Sequence, residues 1–274
     1  MRKLIPLLLL FITLPGLTAE RQFDIEVIIF KRAVDAENLQ ESWPDKLPEI
    51  DLSHAALLQN NEYLEAKGVT LLPQTEYQLT EQEEQLRRHA GYQVLVHTAW
   101  RQGDEGKGSA PVFHIMAGHD YSADYHPDGS EKKPDTTFSE TGITDTSVEN
   151  ELNLSGVEEK TIDNPLYELD GKLQIYVQHY LFLESELDLK APSVREVILE
   201  DKELDLPAEP EVTNDTTVQF GNLESVSPTV QVEKFLKSYR MKQKRRMRSG
   251  ETHYLDHPLM GIVLQVRKVK EKTE

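Results

Sequence analysis

None of the 274 residues is cysteine. The chain can therefore use no disulfide, no thiolate zinc site and no cysteine nucleophile, and must hold its fold by an ordinary buried core. This constrains it more than it would most chains, because the amino terminus reads as an export signal. Met1, Arg2 and Lys3 make a basic start, and residues 4–14 form an apolar run broken only by Pro6 and Thr13. Pro15 and Gly16 end it, and Ala19 offers a small residue for cleavage. That order predicts a signal peptide over residues 1–19, removed on export to the periplasm. The run is shorter than the about 20 apolar residues of a spanning helix, so no membrane span is expected after cleavage. Without a cysteine behind the run, a lipid-modified amino terminus is excluded as well.

Residues 20–274 are expected to form a single α+β domain with a modest core, since only 38% of residues are hydrophobic and 28% are charged. Residues 23–30 read as a central strand, alternating at first and then wholly apolar. A short helix is predicted over 53–58. The pattern at Thr80 and Glu83 reads as a capping box opening a helix over 80–90, and Gly91 suits a left-handed position after it. Residues 92–102 alternate as a strand, with a further strand over 111–116 expected to lie antiparallel to it. Asp170 and Gly171 read as a turn. After it one long strand is expected, with Leu173, Ile175, Val177, Leu181 and Leu183 on one side. The other side carries Tyr176, Gln178, Tyr180 and Phe182. Strands are also read at 194–199, 253–255 and 261–269; residues 235–248 fit neither the helix nor the strand period cleanly and are read as strand because Ser249 and Gly250 resemble a hairpin turn.

Two stretches look too acidic and too poor in apolar residues to order themselves. They lie at about 126–164 and 190–230; ten acids fall within 126–164 and twelve within 184–225. The fold class is therefore α+β: a mainly antiparallel β-sheet with one principal helix packed on it and acidic, partly disordered insertions.

The net charge of −18 argues against nucleic acid as a partner, which needs a basic footprint. The charge is uneven, however: residues 234–274 carry twelve Lys and Arg against four acids, a net of +8. That asymmetry points to a basic docking face for an anionic partner, carried by Arg245, Arg246 and Arg248. Arginine forks match carboxylates two bonds at a time. The neighbouring His253, Tyr254, Asp256 and His257 are the other candidate binding residues. Tyr176, Tyr180 and Phe182 could stack on sugar rings if exposed.

Catalytic motifs are thin. No His-Glu-x-x-His or Gly-x-Ser-x-Gly sequence occurs, and the one Ser-x-x-Lys, Ser130 to Lys133, stands apart from the other motifs that such enzymes require. His114, His119 and His126, with Asp120, do not make a recognisable zinc set, and His253 and His257 read better as turn histidines that cap backbone groups. No catalytic residue, metal or cofactor is nominated.

The string RRMRSGETHYLDHP at 245–258, followed by Gly261 and alternating apolar residues, resembles the signature end of the CsiV family. The strand at 23–30 after a signal peptide and YQVLVHTAWRQ at 92–102 resemble further family segments. The resemblance implies a non-enzymatic periplasmic protein of gram-negative bacteria that binds peptidoglycan and serves cell shape. It also implies, as a partner, the outer-membrane lipoprotein that activates a bifunctional peptidoglycan synthase, a class A penicillin-binding protein. Two other readings compete: a protein-interaction or chaperone-like factor without direct wall binding, and a wall hydrolase.

Overall fold

The computed structural model describes residues 21–132, 165–199 and 229–270. In chain order the elements are β1 (Phe23–Arg32), β2 (Ala56–Leu57), α1 (Asn61–Ala66), β3 (Thr70–Leu71), α2 (Thr80–Arg88), β4 (Tyr92–Gln102) and β5 (Val112–Asp120). The chain continues through β6 (Tyr167–Val177), β7 (Leu181–Leu199), β8 (Thr229–Met247), β9 (Thr252–Asp256) and β10 (Met260–Lys268). The α+β, mainly antiparallel class holds. The strands divide between two five-stranded sheets, ordered β3-β4-β1-β10-β9 and β2-β5-β6-β7-β8. Among the described residues only β2 with β5 is parallel.

The two sheets share one core. Ile25, Val27 and Ile29 of β1 meet Ile262, Leu264 and Val266 of β10 on the first sheet. Leu173, Ile175, Leu183 and Leu187 line the second. Trp100, fully buried, stacks edge-on against Phe113 with centroids 4.9 Å apart. Its indole N–H donates to Gln102 (2.7 Å), whose amide donates to the Ile175 carbonyl (2.9 Å), so one hydrogen-bond chain ties the sheets together. As expected for a wholly apolar strand, β1 is central, between β4 and β10.

On the outer face of the first sheet, α2 covers a smaller apolar cluster of Ile28, Phe30, Leu79 and Val94. The helix starts differently from the capping box. Leu79 occupies the N-cap with no side-chain cap bond. The job falls instead to Glu26 on β1, whose carboxylate accepts the backbone N–H of Gln78 (2.7 Å) and of Leu79 (2.8 Å). A tertiary carboxylate thus meets the dipole that a local side chain was expected to satisfy. Gly91 is not left-handed; its N–H donates to the His89 ring.

Other expectations need correction. The segment 53–58 holds β2, and the first α-helix follows at α1, where the Asn60 side chain caps the Tyr63 N–H at 3.0 Å. β5 joins the second sheet, pairing with β6 rather than β4. The single strand through 173–183 is two strands, β6 and β7, turning at residues 178–180. Asp170 and Gly171 lie inside β6 rather than in a turn. Gly171 has φ 154°, and an added Cβ would overlap the Glu186 carbonyl oxygen and lie 2.8 Å from the Leu187 Cα. Glycine is there for the closeness of the neighbouring strand. Ser249 and Gly250 make no hairpin between β8 and β9: those strands belong to different sheets, and the turn carries the chain from one to the other.

The acidic 184–199 stretch is strand, paired residue by residue with β8 from Leu181↔Met247 to Leu199↔Thr229. Glu184, Glu186 and Asp188 are opposed by Lys244, Lys242 and Arg240 across the ladder, which composition along one segment cannot reveal. Residues 126–132 also form backbone contacts, including the Tyr125↔Glu131 bridge. The rest of the two acidic stretches, 133–164 and 200–228, and the expected signal over 1–19 lie outside the described residues.

Candidate functional site

β8 is the edge of the second sheet, and its alternation sorts its side chains onto two faces. Tyr239, Met241 and Met247 are buried in the shared core. Arg240, Lys242, Lys244 and Arg246 stand on the opposite, outer face, across from Asp188, Glu186, Glu184 and Phe182 of β7. The register produces a ladder of ion pairs: Arg240 with Asp188 at 2.7 Å, Lys242 with Glu186 at 2.8 Å, and Lys244 with Glu184 at 3.0 Å. Arg246 has no carboxylate opposite it. Its guanidinium lies over the exposed Tyr180 ring, 4.4 Å from the centroid.

This outer face forms the floor of a cleft of about 1110 Å³. Its walls are the 51–55 segment, Tyr63 and Lys67 near α1, and the 107–112 loop. Gln174 holds that loop in place, donating to the carbonyls of Lys107 (2.8 Å) and Ala110 (3.2 Å). Five lysines line the cleft: Lys67, Lys107, Lys172, Lys242 and Lys244. Three carboxylates oppose them, from Asp51, Glu184 and Glu186, leaving two positive charges in excess. A local positive balance in a chain of net charge −18 is the principal electrostatic feature of this face.

Glu184 organises one end of the cleft. Burial would push its carboxyl up, but hydrogen bonds from Lys107, Tyr176 and Lys244 outweigh this and hold it at about 2. Lys107 and Lys244 also approach the Tyr176 ring, at 5.8 Å and 5.9 Å from its centroid. Lys67 has less to neutralise it: its ammonium donates to the Ser109 carbonyl at 2.8 Å and lies near the Tyr63 ring.

The nominated residues fall in three places. Arg245, Arg246 and Arg248 are all exposed, but they do not share a face. Arg246 continues the Lys242 and Lys244 row, and Arg245 projects to the opposite side of β8. Arg248 lies in the turn, with Glu251 3.7 Å away. His253 caps that turn: its Nε2 lies 3.2 Å from the Arg248 N–H and 3.1 Å from the Arg248 carbonyl. His257 likewise accepts the Leu259 N–H through Nδ1 at 3.3 Å, and burial pushes its pKa down. Both behave as turn histidines.

Tyr254 and Asp256 form a separate cluster on the first sheet with Arg32, which bonds to Asp256 and to the Tyr254 hydroxyl (2.6 Å). The Tyr254 hydroxyl donates to Asp256 at 2.7 Å. The aromatic trio also divides. Tyr176 is fully buried, stacked on Phe182 at 5.5 Å, with its hydroxyl donating to Glu184 (2.8 Å). Tyr180 alone is exposed, so no three-ring platform exists.

Sequence reasoning missed the lysine cleft. A signal was present: acids at 184, 186 and 188 repeat with the strand period, as do bases at 240, 242, 244 and 246. The lysines at 67, 107 and 172 carried none, since only tertiary structure gathers them.

A second polar cluster lies at the start of α2. Glu26, fully buried, receives His97 Nε2 at 2.9 Å and Arg267 at 2.8 Å, while His97 Nδ1 meets Glu83 at 2.6 Å. Burial would raise the Glu26 carboxyl, but the bonds from His97, Gln78, Arg267 and Leu79 hold it at about 2. Burial would lower the His97 pKa, but the bonds to Glu26 and Glu83 raise it above its ordinary value. This cluster is structural: it anchors α2 to β1.

Two mainly antiparallel sheets with a shared core make an α+β scaffold whose outer face carries a basic sheet edge and a cation-rich cleft. The chain belongs to the CsiV family, whose description is "Peptidoglycan-binding protein, CsiV" and whose profile matches residues 3–269, nearly its whole length. Comparison with curated proteins and with solved structures gave no match. No helix among the described residues is long and apolar enough to cross a membrane.

Proposed function

We propose that this protein is exported to the periplasm after cleavage behind Ala19 and there binds peptidoglycan without catalysing a reaction, supporting wall assembly. The observation that carries the reading is the basic edge strand of the second sheet: Arg245, Arg246 and Arg248 stand exposed, and among the described residues only Arg248 has a carboxylate partner, itself at the surface. Three exposed cations in a chain of net charge −18 are a local basic patch for an external anion, and the family description supplies the class of that anion. His253 serves by fixing the Arg248 turn, and Tyr180 by orienting Arg246. The lipoprotein activator of a bifunctional peptidoglycan synthase is the proposed protein partner.

Co-sedimentation with purified sacculi tests the reading. Replacing Arg245, Arg246 and Arg248 together with alanine should weaken sedimentation about tenfold or more, since charge-assisted hydrogen bonds are worth about 1.5–3 kcal/mol each. Unchanged sedimentation of a folded variant contradicts the assignment of this edge. Release of soluble fragments from sacculi by the parent protein contradicts a non-enzymatic role.

One observation favours a protein partner alongside the wall. Val194 and Val232 lie diagonally across the outer part of the β7–β8 ladder and are 58% and 63% exposed. Cross-linking in cells from position 194 or 232 should capture a neighbouring protein.

A further inference from the structure

We propose that the cleft on the outer face of the second sheet is the seat of ligand recognition, and that it reads free carboxylates of a peptide rather than the sugar of the wall. This rests on the peptidoglycan-binding reading and narrows it to a ligand group and a place.

Three features carry it. The first is charge: five lysine ammoniums converge on one cleft with only three carboxylates to oppose them. The second is shape. About 1110 Å³ fits a peptide of several residues, the usual ligand pocket being about 300–1,000 Å³. The third is the disposition of the aromatic rings. Sugar recognition needs an open ring face, yet Tyr176 is buried under Phe182, and Lys107 and Lys244 stand over the Tyr176 ring. Tyr180, the exposed ring, is not among the residues that line the cleft and has the Arg246 guanidinium against it. What the face presents outward is a row of cations with the strand spacing, Lys242, Lys244 and Arg246, facing Lys67 and Lys107 on the opposite wall. Glu184 and Glu186 hold these ammoniums in position, and an incoming carboxylate shares them rather than ordering them afresh.

The wall offers carboxylates on its peptide stems. The test uses the mature chain and stem peptide released from purified sacculi, titrated calorimetrically beside the same peptide with its carboxylates amidated. The free peptide should bind, and amidation should weaken it about tenfold or more, the loss expected for a charge-assisted hydrogen bond. Lys67→Gln should weaken the free peptide by a similar factor; among the described residues its ammonium bonds the Ser109 carbonyl at the surface and lies by the Tyr63 ring, so the fold loses little. The pair Lys242→Gln with Lys244→Gln is the second variant, and Arg88→Ala, on exposed α2 of the other sheet, is the control.

Equal binding of free and amidated peptide, or unaltered binding by both lysine variants, overturns the inference. If the parent sediments with sacculi but the free peptide does not bind, the cleft assignment fails and wall binding stands. If the parent does not sediment with sacculi, both fail.

Discussion

The Arg246 guanidinium lies 4.4 Å from the centre of the Tyr180 ring, across the turn that joins β6 to β7. Tyr180 belongs to that turn, and Arg246 is the last outward-facing base of the edge strand. The contact holds a charge at the open end of the lysine row that a lone arginine on an edge would spread over many rotamers.

Removing the ring should therefore reach function before stability. Exposed cation–π pairs are worth about 0.5–1 kcal/mol, so Tyr180→Ala should weaken sacculus binding by a factor of about two to five. Single alanine replacements along the edge should rank Arg246 above Arg245, because only Arg246 shares the face with Lys242 and Lys244. Co-sedimentation isotherms for the three variants provide the check; an Arg245→Ala variant weaker than Arg246→Ala would contradict the facing assigned to them.

The Glu26 cluster predicts a pH profile for folding. A carboxyl held at about 2, against an ordinary 4.5, contributes stability that is complete above 4.5 and lost as the pH falls towards 2. His97 is raised above 6.5, so its contribution is complete below 6.5 and lost as the pH rises through its folded value. Glu83, lowered by the His97 and Arg87 bonds against the opposing effect of burial, adds to the acid side. Together they favour folding most between 4.5 and 6.5. His97→Gln should cost about 1.5–3 kcal/mol within that window, and its difference from the parent should shrink at alkaline pH. Urea midpoints measured at acid, intermediate and alkaline pH test this; a difference that grows with pH would contradict it.

Glu26→Gln should be more severe. It leaves Arg267 and the histidine without their buried anion and weakens the acceptor for two backbone N–H groups. Breaking a buried charge pair costs about 3–5 kcal/mol. Loss of α2 protection in hydrogen exchange, with β6 and β7 unaffected, is the expected signature.

Gly171→Ala should disturb the second sheet where β6 passes β7. The added Cβ would collide with backbone atoms of Glu186 and Leu187, which cannot swing aside as a side chain can. Backbone strain of this kind costs about 1–3 kcal/mol. Because Glu186 pairs with Lys242 and Lys172, the same variant should loosen the cleft, seen as weaker peptide binding together with a lower unfolding midpoint.

Much of the strand content was legible in the sequence, because β1, β4 and β10 keep a period of two or a continuous apolar run; β8, whose apolar residues Phe235, Leu236, Tyr239, Met241 and Met247 follow no single period, reads as strand only through a hairpin that the structure does not form. The exposed arginines were legible too, as a local excess of charge. What escaped was every feature set by partners distant in sequence. Gly171 looks like a turn until the Glu186 carbonyl is seen beside it. The acids of 184–188 look like a loose connection until Arg240, Lys242 and Lys244 stand opposite them. Glu26 looks like one polar residue in a strand until the start of α2 is found bonded to it, 52 and 53 residues away. The aromatic face at Tyr176, Tyr180 and Phe182 failed because the chain turns at 178–180, folding the second half of the expected strand back on the first.

The account stands most directly on the binding of the parent protein to purified sacculi as a function of salt. Contacts made by exposed cations are screened as the Debye length falls from about 8 Å near 0.15 M to about 3 Å at 1 M. The protein should sediment with sacculi at low ionic strength and be released progressively as salt rises. Absence of binding at low salt, or binding that 1 M salt leaves unchanged, would contradict recognition through the basic edge and its cleft.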